Sequence, residues 1–264
     1  MKIFKSIPEW RRYRQEKSRT CSIGFAPTLG GLHEGHFSLV NESLEQNDLT
    51  VASIFLNRVQ FNNPDDYKKY PANFAEDVAQ LEAMGVDALL APEFEDMYPD
   101  SYAYRISESD VSKEREGARR PGHFDGVLTV VLKLLNLVRP NAAYFGEKDY
   151  QQLQLIDGMA KAFFLDTEIV SCPTIRDEDG LALSSRNRRL SALGRERASR
   201  FPEILSSAET AEQAVNLLGE AGFQVDYVED LGGRRFGAVA IEGIRLIDNM
   251  RIGVALPLTA ARSE

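Results

Sequence analysis

The chain has 264 residues, of which 43% are hydrophobic and 27% charged, enough to bury a full core in one large domain or one with a smaller companion. Its formal net charge of −9 argues against non-specific nucleic-acid or anionic-membrane binding, because both need a net basic face. An anionic ligand must therefore be held by local cations.

Residues 1–19 contain no apolar signal core, and the longest apolar run, GVLTVVLKLLNLV, is too short to cross a bilayer and carries Lys133. A cytoplasmic protein without a membrane segment is expected. The first apolar run, CSIGFA, predicts a strand. It leads through PTLGGLHEGH into a helix over residues 32–47, with Leu32, Leu39, Val40 and Leu44 on one face. His33 and His36 flank that apolar stripe among Gly30, Gly31 and Gly35, an unusual setting for a core histidine. The first turn of a helix offers unpaired N–H groups and the positive end of its dipole, so phosphate is expected there. The glycines would let the backbone approach a triphosphate, while the imidazoles donate hydrogen bonds as charge moves onto the leaving group. Zinc is the competing use, but the metalloprotease pattern spaces its histidines four apart and these stand three apart.

TVASIFLN, VDALLAP, AAYFG and EIVSC predict further strands, alternating with helices over 73–84, 124–138 and 149–164. Such alternation predicts a Rossmann-like α/β fold, a parallel sheet with helices on both faces. After AAYFG the turn carries Gly146, Lys148 and Asp149, followed by Gln151 and Gln152. Lys148 is placed as a phosphate cation and Asp149 as an acceptor for ribose hydroxyls; the other use is a solvated loop charge and a helix N-cap. Ligands of open parallel sheets bind beyond the carboxyl ends of strands where strand order reverses, and the CSIGFA and AAYFG strands commonly flank that crevice.

Alternation stops after Pro173. A nucleotide-binding domain over 1–175 and a smaller α+β lid domain over 176–264 are expected. In the second, DGLALSSRNRRL puts Ser184, Ser185 and Arg186 on a mobile loop between the domains, either a phosphate clamp or a serine-capped basic helix start. Helices over 191–200 and 207–220, broken at Pro202, precede the strands VDYVED, RRFGAVAIEG and IRLIDNM, which Gly232-Gly233 and Glu242-Gly243 separate into an antiparallel sheet.

PTLGGLHEGH, IFLN followed by QF and YP, RRPGHFDGVLTVVLKLLNLVRP, FGEKDYQQL and DGLALSSRN together resemble the pantothenate synthetase family of the HxGH nucleotidyltransferase superfamily. The resemblance implies an ATP-dependent ligase that joins pantoate to β-alanine through a pantoyl adenylate, releasing AMP and pyrophosphate. It implies that His33 and His36 bind ATP phosphates, His36 being the usual proton donor, and that Leu29 lies against the nucleotide. Gly146, Lys148 and Asp149 would hold ribose and phosphate, Ile175 and Leu183 would border adenine, and Ser184, Ser185 and Arg186 would hold the phosphates. His33, His36, Lys148 and Arg186 form the catalytic set, and Gln60 and Gln152 would bind pantoate through neutral amides that do not blunt the nucleophile. A homodimer is implied too. Mg²⁺ would travel on the ATP phosphates, with Glu76, Asp77 and Gln80 on one helical face as outer ligands or as a solvated face.

The chain departs from the family at several points. Arg58 stands where proline is usual and Asn62-Asn63 where glycine-proline is usual, both beside Gln60. Leu29 and Leu183 replace methionines, Asp157 replaces an arginine, and the C-terminal domain is short. His123, in RRPGHFDG, is either functional or satisfied by backbone, and Arg120 beside it could reach ATP or the mouth of the site.

Overall fold

The computed structural model describes residues 1–17 and 21–253. The chain forms two compact units, Met1–Ile175 and Arg176–Glu264. In chain order the first contains β1 (Lys2–Phe4), α1 (Ile7–Glu16), β2 (Ile23–Thr28), α2 (Glu34–Gln46), β3 (Leu49–Ile54), α3 (Pro64–Lys68) and α4 (Phe74–Met84). There follow β4 (Ala88–Leu90), α5 (Phe94–Met97), α6 (Arg115–Arg119), α7 (His123–Val138), β5 (Ala142–Gly146), α8 (Tyr150–Ala162) and β6 (Glu168–Cys172).

Among the described residues of this unit six strands make one sheet, in the order β1-β4-β3-β2-β5-β6 with every pairing parallel. Their side chains alternate between two cores, as period two requires. Phe25, Val51, Leu90, Ala143 and Phe145 pack with Trp10 of α1, with Val127, Leu128 and Leu134 of α7 and with Ile156 of α8. Ala26, Ala52, Leu89 and Tyr144 pack on the other face with Leu39 and Val40 of α2 and Leu81 of α4. Helices thus cover both faces, and each fully buried large side chain contributes roughly 1.5–3 kcal/mol of transfer free energy. The Trp10 indole N–H also donates to the carbonyl of Leu137 at 2.8 Å, tying α1 to the end of α7.

From β2 the chain moves outward through β3 to β4, whereas β5 lies on the opposite side of β2, Gly24 pairing with Ala142 and Phe25 with Ala143. Strand order therefore reverses between β2 and β5, and the turns that follow these two strands are neighbours.

The second unit carries α9 (Ala192–Ala198), α10 (Arg200–Ser207), α11 (Ala211–Glu220), β7 (Gln224–Leu231), β8 (Arg234–Ile241) and β9 (Ile244–Arg251). β7, β8 and β9 form an antiparallel sheet. Both hairpins use two-residue turns with positive φ throughout, Gly232 at 58° and Gly233 at 74°, then Glu242 at 53° and Gly243 at 72°, the mirror-image turn that matches strand twist. Phe201, Ile204 and Leu205 of α10 and Leu218 of α11 pack with Val239, Ile241 and Leu246. The helix expected over 207–220 begins only at Ala211, and a further helix, α10, occupies the expected break at Pro202: the proline sits in the first turn of α10, where its missing N–H has no intrahelical partner to lose.

Candidate active site

The turn between β2 and α2 is held from below. Gly30 and Gly31 take φ of 83° and 66°, a left-handed path open to glycine. The Asp77 carboxylate of α4 accepts from Gly31 N and Leu32 N, both at 2.8 Å, and Gly30 N donates to the Thr28 hydroxyl at 3.2 Å. The backbone donors of Gly30, Gly31 and Leu32, which precede α2, are thus used within the protein. Asp77, only 2% exposed, is also neither on a solvated face nor free to ligate magnesium. Gln80, one turn further along α4, keeps a buried Oε1 without a hydrogen-bond partner, and Glu76 is exposed.

The histidines follow directly. His33 is the N-cap of α2, its Nδ1 accepting from Gly35 N at 3.1 Å. Nδ1 being an acceptor, the ring proton lies on Nε2. The His36 ring lies 4.2 Å from that of His33, and its Nδ1 is buried with no hydrogen-bond partner. Burial, then the charge that His33 gains on protonation and the charge of Lys148, holds His36 at about 3, far below the ordinary 6.5. The electrostatic influence of Lys148 reaches His36 because β2 and β5 are adjacent. The site thus concentrates positive potential while His36 itself is neutral at physiological pH.

Gly146 ends β5, and residues 147–149 form a single tight turn before α8. Lys148 Nζ stands 3.7 Å from Asp149 Oδ2. Asp149 occupies the N-cap position of α8, yet its side chain makes no capping hydrogen bond, so capping does not account for it. Gln151 and Gln152 divide in role. Gln151 is buried and spent on structure, donating to the carbonyls of Val111 at 2.7 Å and Glu114 at 2.9 Å and accepting from Glu116 N at 3.1 Å. Gln152, Leu29 and Ile175 are half-buried.

Gln60, by contrast, is set in a frame. The turn over Arg58–Gln60 lies against α7 so closely that a Cβ on Gly126 would come within 2.9 Å of Gln60 Cα. Asn57 donates from Nδ2 to Gln60 Oε1 at 3.0 Å. His123 proves to be a buried, backbone-satisfied residue: its Nδ1 meets the Gln60 carbonyl at 2.8 Å and its Nε2 meets Arg120 Nη1 at 3.0 Å. Arginine can only donate, so Nε2 accepts and Nδ1–H donates to Gln60. That tautomer is neutral, and burial and Arg120 hold the ring at about 4. The unusual residues nearby are absorbed locally. Arg58 stacks 3.5 Å over the Phe94 ring, Asn62 donates to the Pro121 carbonyl at 2.7 Å, and Asn63 caps α3 by accepting from Asp65 N at 2.8 Å. Asp157 pairs with Lys161 on the surface of α8 at 2.7 Å.

In the second unit the segment over Ser184–Arg189 is a capped 3-10 turn rather than an open loop: Arg186 N donates to Ser184 Oγ at 3.3 Å, and Asn187 donates from its side chain to Ala182 O at 3.0 Å. Ser185 is buried, while Leu183, Ser184 and Arg186 are half-buried. Among the described residues no group of three or more His, Cys, Asp or Glu side chains is disposed to hold a metal ion, and no helix is long and apolar enough to cross a membrane. Sequence reasoning missed Asp77 as the support of the histidine turn, and Asn57 and Tyr98 behind Gln60. IFLN contains Asn57 but gave it no role, Asp77 was marked only as a magnesium ligand or part of a solvated face, and nothing local marked Tyr98.

The two buried neutral histidines give acid instability a defined window. The unfolded chain protonates both near 6.5, the folded chain only near 3 and 4, so stability is undiminished above 6.5 and falls as pH drops below it. Each costs ~1.4 kcal/mol per pH unit there. Urea unfolding should therefore show a loss on the order of 4 kcal/mol between pH 6.5 and 5; equal stability at both would show that the rings are not held neutral.

A family model described as pantoate-beta-alanine ligase matches residues 2–251. A pantothenate synthetase of Bdellovibrio bacteriovorus is 50% identical over 250 residues, covering 95% of this chain and 99% of that protein. One of Legionella pneumophila strain Corby is 51% identical over 249 residues, covering 94% and 99%. The crystal structure of pantoate-beta-alanine ligase from Francisella tularensis, complexed with beta-gamma ATP and β-alanine, superposes with a TM-score of 0.92 at 42% identity, covering 95% of this chain and 97% of that one. With this fold, this histidine turn and relatives of this extent, the chain belongs to the pantoate–β-alanine ligase family.

Proposed function

We infer that this protein joins pantoate to β-alanine at the expense of ATP, in two steps. A pantoate carboxylate oxygen attacks the α-phosphorus, the bond to the β-phosphate breaks and pyrophosphate leaves. The β-alanine amine then attacks the acyl carbon, AMP leaves with the former carboxylate oxygen, an amide forms and the amine proton passes to solvent. The observation that carries this reading is the cluster of His33, His36 and Lys148 at the strand-order reversal, a few hydrogen-bond donors and one cation where a triphosphate would lie.

His33 offers Nε2–H and His36 a neutral ring to phosphate oxygens, while Lys148 neutralises charge on the leaving pyrophosphate. Asp149 and Gly146 support ribose, Leu29 and Ile175 the nucleotide's apolar faces, and Gln60 and Gln152 the acid. Leu183, Ser184, Ser185 and Arg186 are read as nucleotide-binding residues of the second unit, which acts as a lid. Mg²⁺ comes with ATP and supplies charge neutralisation on the phosphates. The same reading makes the protein a cytoplasmic homodimer. Most of the rate enhancement is assigned to in-line positioning, worth roughly 7 to 11 kcal/mol where it has been measured, and to fixed dipoles.

Mass analysis of a mixture of protein, ATP, Mg²⁺, pantoate and β-alanine should give pantothenate and AMP. Exchange of labelled pyrophosphate into ATP should require pantoate and proceed without β-alanine. Exchange that needed β-alanine would overturn the two-step order, and absence of pantothenate would overturn the activity.

A further inference from the structure

Behind Gln60 lies a chain of hydrogen bonds whose direction is fixed at one end. The Gly126 carbonyl can only accept, and Asn57 Nδ2 faces it at 3.2 Å, so the Asn57 amide has one orientation. Its second N–H goes to Gln60 Oε1 at 3.0 Å. Its Oδ1, turned the other way, accepts from the Tyr98 hydroxyl at 3.0 Å. Asn57, Gln60 and Tyr98 are all buried. Reversing the Gln60 amide would set two nitrogens against each other in a buried site, so Gln60 must turn Nε2 away from Asn57. Among the described residues no protein acceptor takes that nitrogen.

We propose that Tyr98 is a positioning residue for the acid-binding subsite: through Asn57 it fixes Gln60 so that only amide N–H donors face the ligand, which selects an oxygen acceptor such as the carboxylate or a hydroxyl oxygen of pantoate. The proposal rests on Gln60 being a pantoate ligand, and deepens that reading by giving the amide a polarity. Tyr98 is well placed for this. Its ring packs on Phe94 and Tyr102 at centroid distances of 4.8 and 5.4 Å, and Lys133 Nζ lies 4.5 Å over it. Burial raises its ionisation well above the ordinary range, so it remains a donor at any working pH. The ring contacts survive replacement by phenylalanine; only the hydroxyl is lost.

The test uses three variants of the full chain, with steady-state KM for pantoate and for ATP, kcat, and melting temperature. Gln60→Met, which keeps length and loses both polar atoms, should raise the pantoate KM and spare that of ATP. Tyr98→Phe should raise the pantoate KM about fivefold to tenfold, leaving the ATP KM and the rate at saturating pantoate near wild type. Gln60→Glu keeps the shape and the acceptor for Asn57 but turns an oxygen toward the acid, and should cost about 100-fold or more in pantoate KM. A pantoate KM unmoved by Gln60→Met overturns the pantoate assignment and the proposal with it. If Gln60→Met acts while Tyr98→Phe changes only the melting temperature, or moves both KM values equally, the assignment stands and the proposal fails. Wild-type pantoate affinity in Gln60→Glu also overturns it, since donors would then not be what the subsite presents.

Discussion

His36→Ala should lower pantoate-dependent exchange of pyrophosphate into ATP by a factor on the order of 10² or more, in a protein that still folds. The fold should survive because His36 Nδ1 makes no hydrogen bond, while the helical bond from His36 N to the His33 carbonyl, 2.7 Å, belongs to the backbone. Alanine is also the best helix former. The loss falls on catalysis because a neutral imidazole held out of water is a fixed dipole whose donor strengthens as negative charge moves onto the leaving phosphates, and water that fills the gap must reorient to do the same. Removing the ring also removes one of the two groups that oppose protonation of the fold, so the variant should lose less stability between pH 6.5 and 5 than the wild type. The two readouts are independent. Wild-type exchange in a folded His36→Ala protein would take this histidine out of the chemistry.

Asp77→Ala should be the most damaging single change away from the ligands. It removes the buried acceptor that Gly31 N and Leu32 N both use, and a buried donor deprived of its acceptor costs about 1–3 kcal/mol, so a loss of at least that order is expected in urea unfolding. The turn it supports carries Leu29, His33 and His36, so turnover at a temperature where the variant is folded should fall at least tenfold, in line with loss of positioning. Asp77→Asn distinguishes shape from chemistry. It fits the same space but offers an N–H₂ where one backbone N–H needs an acceptor, so it should stay well below wild type in both measurements. Full stability and activity in the asparagine variant would show that the second carboxylate oxygen is not needed.

The elements that sequence revealed are those whose pattern is local and long. Phe25 and Ala26 of β2, or Tyr144 and Phe145 of β5, face opposite cores, and such runs between glycine-rich turns are legible as strands; the apolar face of α7 is legible by its period. β1 was not, since Lys2–Phe4 is three residues long and becomes a strand only by pairing with β4. At the site, His33, His36 and Lys148 could be singled out because histidine and lysine beside glycines at strand-to-helix turns are chemically conspicuous. The use of the turn could not be read. Gly30-Gly31 has the composition of a phosphate loop, and only the fold shows that Gly30 N faces the Thr28 hydroxyl and Gly31 N the Asp77 carboxylate of α4. Gln151 and Gln152 are chemically identical neighbours, and helical rotation alone makes the first a brace for residues 111–116 and leaves the second half-buried. His123 stood open between two uses until the direction of its bond with Arg120 decided its tautomer.

The pairing of β2 with β5 also governs how the first unit is made on the ribosome. Parallel neighbours cannot close through a hairpin, and here Gly24 finds Ala142 only after β3, β4 and α7 have been synthesised between them. The centre of the sheet is therefore completed late, and Lys148 and Asp149 emerge just behind the strand that completes it. A nascent or truncated chain ending before Ala142 would carry both histidines yet leave one edge of β2 without its partner. Such an unpaired apolar edge is a template for joining another chain, so truncations there should aggregate rather than yield a partly active domain.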